Sequence, residues 1–254
     1  MDVGIYLERI GMIGPLAPDS DSLRKLHVAH LRSVPFENLS IEMREPVRLD
    51  DGALFTKIIK QRRGGFCYEL NGLFAALLRQ IGYEVEMLSA QVMGSAGAYG
   101  PAFDHLMLRV NLEEPWLADV GFGDSFSEPL RLHDRTPNHQ FGSAYLIEES
   151  RDQMILIKKQ HGEEGRPQYR FDLKPFEYAD FMQMCDFHQT SPTSHFTKGR
   201  ICTIATSNGR NSISGMQLIV THDGNREETQ MRDRQHLDEV LLSHFGIVLN
   251  KEKA

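Results

Sequence analysis

The spacing of apolar residues changes after Gly82, and that change limits what the chain can fold into. Before Gly82 apolar side chains recur at three and four residues, the period of an amphipathic helix. After it they alternate, the period of a half-buried strand. Asp21 or Ser22 is placed to cap a helix with Leu23, Leu26, His27, His30 and Leu31 on one face, stopping before Pro35. Asp50 or Asp51 starts a second helix, which carries Leu54, Ile58 and Ile59 and ends at Gly64 and Gly65. A third opens at Cys67, buries Leu70, Phe74, Leu77 and Leu78, and closes at Gly82.

The region 83–92 then reads as a strand. In 105–112, Leu106, Leu108, Val110 and Leu112 alternate with His105, Met107, Arg109 and Asn111. Glu113, Glu114 and Pro115 turn the chain and 116–120 returns as a strand. Strands are expected at 144–148, 154–158 and 169–173, with a short helix over 178–187. The end of the chain reads as a hairpin around Asn208 and Gly209, a strand over 216–221 and a turn at Asp223 and Gly224. A last helix follows, with Leu237, Val240, Leu241 and Phe245 on one face, stopped at Gly246. Helices, then strands, then a mixture is an α+β pattern, and no internal repeat or flexible linker interrupts it.

Composition narrows the function. With 254 residues, 41% hydrophobic and 25% charged, the chain can bury a sizeable core and is neither disordered nor fibrous. Asp and Glu (35) outnumber Lys and Arg (28), leaving a net charge of -7, so no nucleic-acid partner is expected. No apolar run is long enough for a membrane span, and the opening MDVGIYLERIG lacks the pattern of a signal peptide. Three separated cysteines, Cys67, Cys185 and Cys202, exclude a disulfide framework or a cysteine-rich zinc site and suit a reducing cytoplasm. On that reading the Asn38-Leu39-Ser40 sequon is a coincidence.

Cys67 is the most informative position. It follows Arg63-Gly64-Gly65-Phe66 and opens a helix, where unsatisfied N–H groups and the helix dipole favour a thiolate. Cys185 and Cys202 have no such setting and read as inert core. A nucleophilic thiol needs a base, and the base an orienting group. Most histidines, such as His133, His139 and His161, lie in polar or loop stretches, whereas His105 begins an alternating strand. Asp119 lies in an otherwise apolar strand, where a carboxylate is costly unless paired. If Asn111 pairs with Pro115, His105 falls opposite Gly121 and Asp119 is its diagonal neighbour on the same face. The following glycine-rich turn, 121–130, suits an anionic ligand but lacks the ending of a Walker A loop.

In order along the chain, VPFENLSI at 34–41, RRGGFCYELNGLF at 62–74, HLMLRV at 105–110, ADVGFG at 118–123 and GFGDSFSEPL at 121–130 resemble segments of the arylamine N-acetyltransferases. SPTSHFTKGRICT at 191–203 is similar to the start of that family's third domain, and the likeness extends to the terminal HFGIVL, with no departure at the three reactive positions. The resemblance implies a cysteine-protease-like core. It has a helical first domain (1–85) carrying the cysteine, a β-barrel second domain (86–189) carrying the histidine and aspartate, and an α/β lid (190–254). It implies acetyl transfer from acetyl-CoA to arylamines, arylhydrazines or aryl hydroxylamines in a cytoplasmic enzyme of xenobiotic metabolism, with no metal. Cys67 would be the nucleophile that becomes an acetyl thioester, His105 the base and Asp119 its orienting group. Phe36, Phe122, Phe196 and Tyr68 would border the aryl pocket, and Ala102, Phe103 and Gly123 the CoA channel. Arg63 and Glu37 would form a buried ion pair. Two alternatives remain on the residues alone: another Cys-His-Asp enzyme (an amide synthase, hydrolase or transglutaminase using a different acyl donor), or a non-catalytic small-molecule binder.

Overall fold

The computed structural model describes residues 1–249 except 152 and 161, so His161 lies outside the described residues. The first stretch contains α1 (Val3–Arg9), α2 (Ser20–Ser33), β1 (Phe36–Glu37), α3 (Leu39–Glu42), α4 (Asp51–Leu54) and α5 (Cys67–Ile81). Asp19, rather than Asp21 or Ser22, caps α2, its carboxylate accepting the Ser22 N–H at 2.8 Å. α4 runs into a π-helical stretch, Phe55–Lys60, and stops short of the expected Gly64 and Gly65. Those glycines serve close packing instead. A Cβ on Gly64 would overlap the Pro35 carbonyl oxygen, and the Gly65 carbonyl accepts the Glu37 N–H at 2.8 Å. α5 ends as its sequence implies, with Gly82 left-handed at φ 110°.

Eight antiparallel strands follow: β2 (Glu84–Val92), β3 (His105–Asn111), β4 (Pro115–Ala118), β5 (Leu130–Arg131), β6 (Asn138–Gln140), β7 (Ser143–Ser150), β8 (Gln153–Gln160) and β9 (Arg166–Phe176). Their order, β5-β4-β3-β2-β9-β8-β7-β6, curls into a near-closed barrel, so that Leu130 of β5 and Tyr145 and Ile147 of β7 share one core. β2 and β3 are buried on both faces. Val85, Met87, Leu106, Leu108 and Val110 pack against the helices, whereas Leu88, Ala90 and Met107 fill the barrel. The helical core therefore crosses residue 85, and we propose the three expected segments as units that share faces.

After α6 (Met182–Thr190), β10 (Ile201–Ala205), β11 (Gly209–Ser214), β12 (Gln217–His222) and β13 (Asn225–Gln230) form a second sheet, and α7 (Arg234–Phe245) covers it. β13 breaks no apolar rule because its six residues are all exposed. It is placed by the two-residue turn Asp223 (φ 48°) and Gly224 (φ 80°). β1 joins this sheet from the first stretch, pairing Phe36 with Thr203. Beside it the Asn38 amide donates to the Phe196 and Gly199 carbonyls at 2.8 and 2.7 Å and accepts the Ile201 N–H at 2.7 Å, so the sequon is internal. Arg63 and Glu37 form the expected buried pair, Nη2 to Oε1 at 2.8 Å, and the same oxygen accepts the Gly64 N–H.

Gly64→Ala places a methyl group against backbone that cannot yield. It is expected to destabilise the chain by about 2 kcal/mol, read from urea unfolding.

Candidate active site

Cys67 is the first residue of α5. The preceding Phe66 is extended, and its N–H is accepted by the Glu69 carboxylate at 3.1 Å, which fixes where the helix begins. The second buried oxygen of Glu69 is met by Lys57 at 2.6 Å. The helix start does not by itself make Cys67 acidic. Burial pushes the thiol well above its ordinary range, a hydrogen bond from the Leu106 backbone pulls it down, and Cys185 and the carboxylates of Asp119 and Asp104 raise it further. Burial thus acts against the thiolate that the helix start favours, which agrees with the expectation that the thiol needs a partner base.

β3 and β4 pair Asn111 with Pro115, as the turn implies, but the ladder ends at Leu108 with Ala118. Asp119 lies just beyond β4 because side chains from the helices capture the backbone. The Asp119 N–H donates to His27 Nε2 at 3.0 Å, and the Val120 N–H to Asn71 Oδ1 at 2.9 Å. His105 nevertheless reaches the acid, Nε2 to Oδ2 at 2.7 Å. The Asp119 carboxylate also accepts from Tyr169 Oη (3.2 Å), Asn71 Nδ2 (2.9 Å) and the Gly121 N–H (3.0 Å). Burial raises its pKa, but the His105 ring and these donors outweigh that and hold it below the usual carboxylate range. An ionised Asp119 can only accept, so His105 carries its proton on Nε2 and leaves the Nδ1 lone pair free in the neutral ring. Phe122 and Tyr169 hold the imidazole, with ring centroids 5.2 and 5.3 Å away.

Asn71 sits one turn after Cys67 and also donates to the Leu106 carbonyl at 2.7 Å, tying β3 and the Asp119 segment to the cysteine's helix. Gly121 allows that approach: a Cβ there would lie 2.7 Å from Cys67 Cα. His27 braces the segment from the far side. Its Nε2 accepts the Asp119 N–H, so Nδ1 carries the hydrogen and donates to the Ser127 carbonyl at 2.8 Å, with Phe126 stacked on the ring.

Cys67 and His105 open on a cleft of about 410 Å³. Phe36, Phe122, Phe196 and Gly123 line it, and Ile201, Thr203, Ser212 and Ile213 of the second sheet form the opposite wall. Three expected site residues lie elsewhere. Tyr68 is fully buried with its hydroxyl donated to the Phe103 carbonyl at 2.8 Å. Phe103 packs edge-on against Phe176 and Phe181, and Ala102 is exposed beside it, outside the cleft lining. Among the described residues no group of three or more His, Cys, Asp or Glu is placed to hold a metal ion, and no described helix is long and apolar enough to cross a membrane.

A family model described as N-acetyltransferase matches residues 19–254. The arylamine N-acetyltransferase of Mycolicibacterium smegmatis is 35% identical over 98% of this chain and 93% of its own length. The arylamine N-acetyltransferase / N-hydroxyarylamine O-acetyltransferase of Salmonella typhimurium is 34% identical over 93% of this chain and 85% of its own. The chain belongs to the arylamine N-acetyltransferase family. It is an acyltransferase with that family's α+β fold. The solved S. typhimurium enzyme superposes with a TM-score of 0.92 at 32% identity, covering 99% of this chain and 93% of the other. A Mycobacterium marinum arylamine N-acetyltransferase solved in complex with CoA superposes at 0.90, with 31% identity over 97% and 93%.

Within this acyltransferase, sequence reasoning did not find Asn71, His27 as a brace, or Asp104 and His195 in the cleft lining. Asn71 carried a usable signal, since it falls four residues after Cys67 on the same helix face. The brace depends on helix α2 meeting a loop a hundred residues away, which no local pattern records.

Burial lowers His27 to about 4 and His30 to about 3. Both rings are therefore neutral in the folded chain, and the unfolded chain binds more protons from about pH 6.5 downwards. Stability is expected to fall as pH drops through that window, by about 2 kcal/mol for each ring at pH 4.5. Urea unfolding at pH 7 and pH 4.5 measures this, and in His27→Gln the loss should be smaller by about 2 kcal/mol.

Proposed function

We propose that this protein moves an acetyl group from acetyl-CoA to the nitrogen of an aromatic amine, hydrazine or hydroxylamine in two steps through Cys67. The observation that carries the reading is the bond from His105 Nε2 to a buried, ionised Asp119 in the cleft that Cys67 opens on. Asp119 stabilises the imidazolium, so His105 Nδ1 can take the thiol proton that burial otherwise retains. The thiolate attacks the acetyl carbonyl, the tetrahedral intermediate expels the CoA sulfur, and the imidazolium returns the proton to it. Exchanging one thioester for another costs little free energy.

In the second step a neutral aryl nitrogen attacks the acetyl-Cys67 carbonyl, His105 takes the nitrogen's proton, and the departing Cys67 thiolate recovers it. Aromatic amines suit this step because they are weak bases, uncharged near pH 7, and Phe36, Phe122 and Phe196 offer their rings apolar walls. Gly123 stays in the reading as a border of the CoA channel. Its turn is left-handed at φ 91°, and its carbonyl accepts from Arg210 of β11. Three free, buried cysteines fit a reducing compartment, and we read the protein as cytoplasmic.

Brief incubation with acetyl-CoA and no amine should add one acetyl group to the wild type by intact mass. The group should be absent in Cys67→Ser and discharged by aniline. An unmodified wild type whose Cys67 still reacts with iodoacetamide would exclude acetyl-CoA as the donor. Asp119→Asn should stay folded and lose transfer by about a thousandfold or more, since the His105 tautomer is no longer set.

A further inference from the structure

Asp104 immediately precedes His105 and lines the same cleft, its side chain 14% exposed. It takes no part in the chemistry described above. Oδ1 is held by His188 Nε2 at 3.1 Å, and among the described residues no hydrogen bond or ion pair reaches Oδ2. His188 is buried, and its Nδ1 meets Ser194 Oγ at 3.1 Å. That oxygen already accepts the Phe196 N–H at 3.2 Å and is enclosed, so its own hydrogen has His188 Nδ1 as its partner. This order places a hydrogen of His188 on Nε2, facing Asp104. His195, the other ring nearby, lies tilted against Phe196 and is held below its usual range by burial, so it is uncharged near pH 7.

The remaining exposed carboxylate of the cleft, Asp124, is matched by Lys158 at 2.8 Å and Arg210 at 3.4 Å. Among the described residues Asp104 has no such cation, and it shares the lining of the cleft with Cys67 and His105. We infer that Asp104 makes this cleft discriminate by acceptor charge, so that neutral and cationic aromatic amines and hydrazines are acetylated and aryl carboxylates are turned away. The inference rests on the acetyl-transfer reading for its substrates. Its physical core, an unmatched carboxylate lining the cleft that the thiol opens on, does not.

Two matched pairs of probes test it. Iodoacetamide and iodoacetate differ in charge and both alkylate Cys67 without any acetyl chemistry. 4-Aminobenzamide and 4-aminobenzoate are acceptors of similar shape with the same difference. In Asp104→Asn the amide oxygen can still accept from His188, so the fold is expected to stay intact. Asp104→Ser is a second neutral variant should the first be unstable. Each preference for the neutral partner, as a rate ratio or a ratio of kcat/KM, should fall about fivefold or more relative to wild type. The ratio cancels any change in thiol acidity, because both members of a pair meet the same sulfur. Unchanged ratios in a folded variant overturn the inference. So does a shift in alkylation alone while both acceptors are acetylated as before, since acceptors then do not pass Asp104. A shifted alkylation ratio in a protein that acetylates no arylamine leaves the charge discrimination standing and removes the acetyl-transfer reading instead.

Discussion

A carboxylate buried as completely as Asp119 is stable only if donors converge on it, and the site is organised around that requirement. The donors come from four places: His105 on β3, Tyr169 on β9, Asn71 on α5 and the backbone of Gly121. Satisfying one charge thus ties the barrel to the helix that carries Cys67. It also selects the His105 tautomer, since an ionised acceptor leaves the proton on Nε2 and the lone pair on Nδ1. An unpaired charge there would cost several kcal/mol, so the packing that solves the burial problem also orders the reactive groups.

The two-faced strands β2 and β3 make this arrangement rigid. Leu106, Leu108 and Val110 on one side and Met107 on the other place His105 at the joint between two cores, where neither face can shift without opening a cavity. The second sheet adds the opposite wall of the cleft. It is joined to the first stretch by the pairing of Phe36 with Thr203 and by the Asn38 amide, so the VPFENL segment holds the wall in place. Asp104, which no cation matches among the described residues, lines the same cleft and on our inference gives it an electrical character that its aromatic walls alone would lack.

Much of this was legible before any coordinates. The helix starting at Cys67, its stop at Gly82, the register of Asn111 with Pro115 and the turn at Asp223 and Gly224 follow from local spacing and glycine chemistry. What escaped was decided by contacts distant in sequence. The all-polar strand β13 has no apolar alternation to reveal it, and the Gly64-Gly65 pair looked like a helix stop although Gly64 is bare for Pro35, nearly thirty residues away, and Gly65 for the Glu69 side chain. The family resemblance points to Tyr68 for the aryl pocket and to Ala102 and Phe103 for the CoA channel, whereas the Tyr68 hydroxyl bonds the Phe103 carbonyl, the Phe103 ring packs on Phe176, and Ala102 is exposed outside the cleft lining.

By itself the sequence determined most element types and the α+β order, because period and capping are local properties, and it singled out Cys67, His105 and Asp119 as the candidates for the chemistry. Only the tertiary structure decided the state of the thiol and the surroundings of the acid. Burial and hydrogen-bond donors act through space, and His27, Asn71, Tyr169 and Asp104 come from four separate parts of the chain.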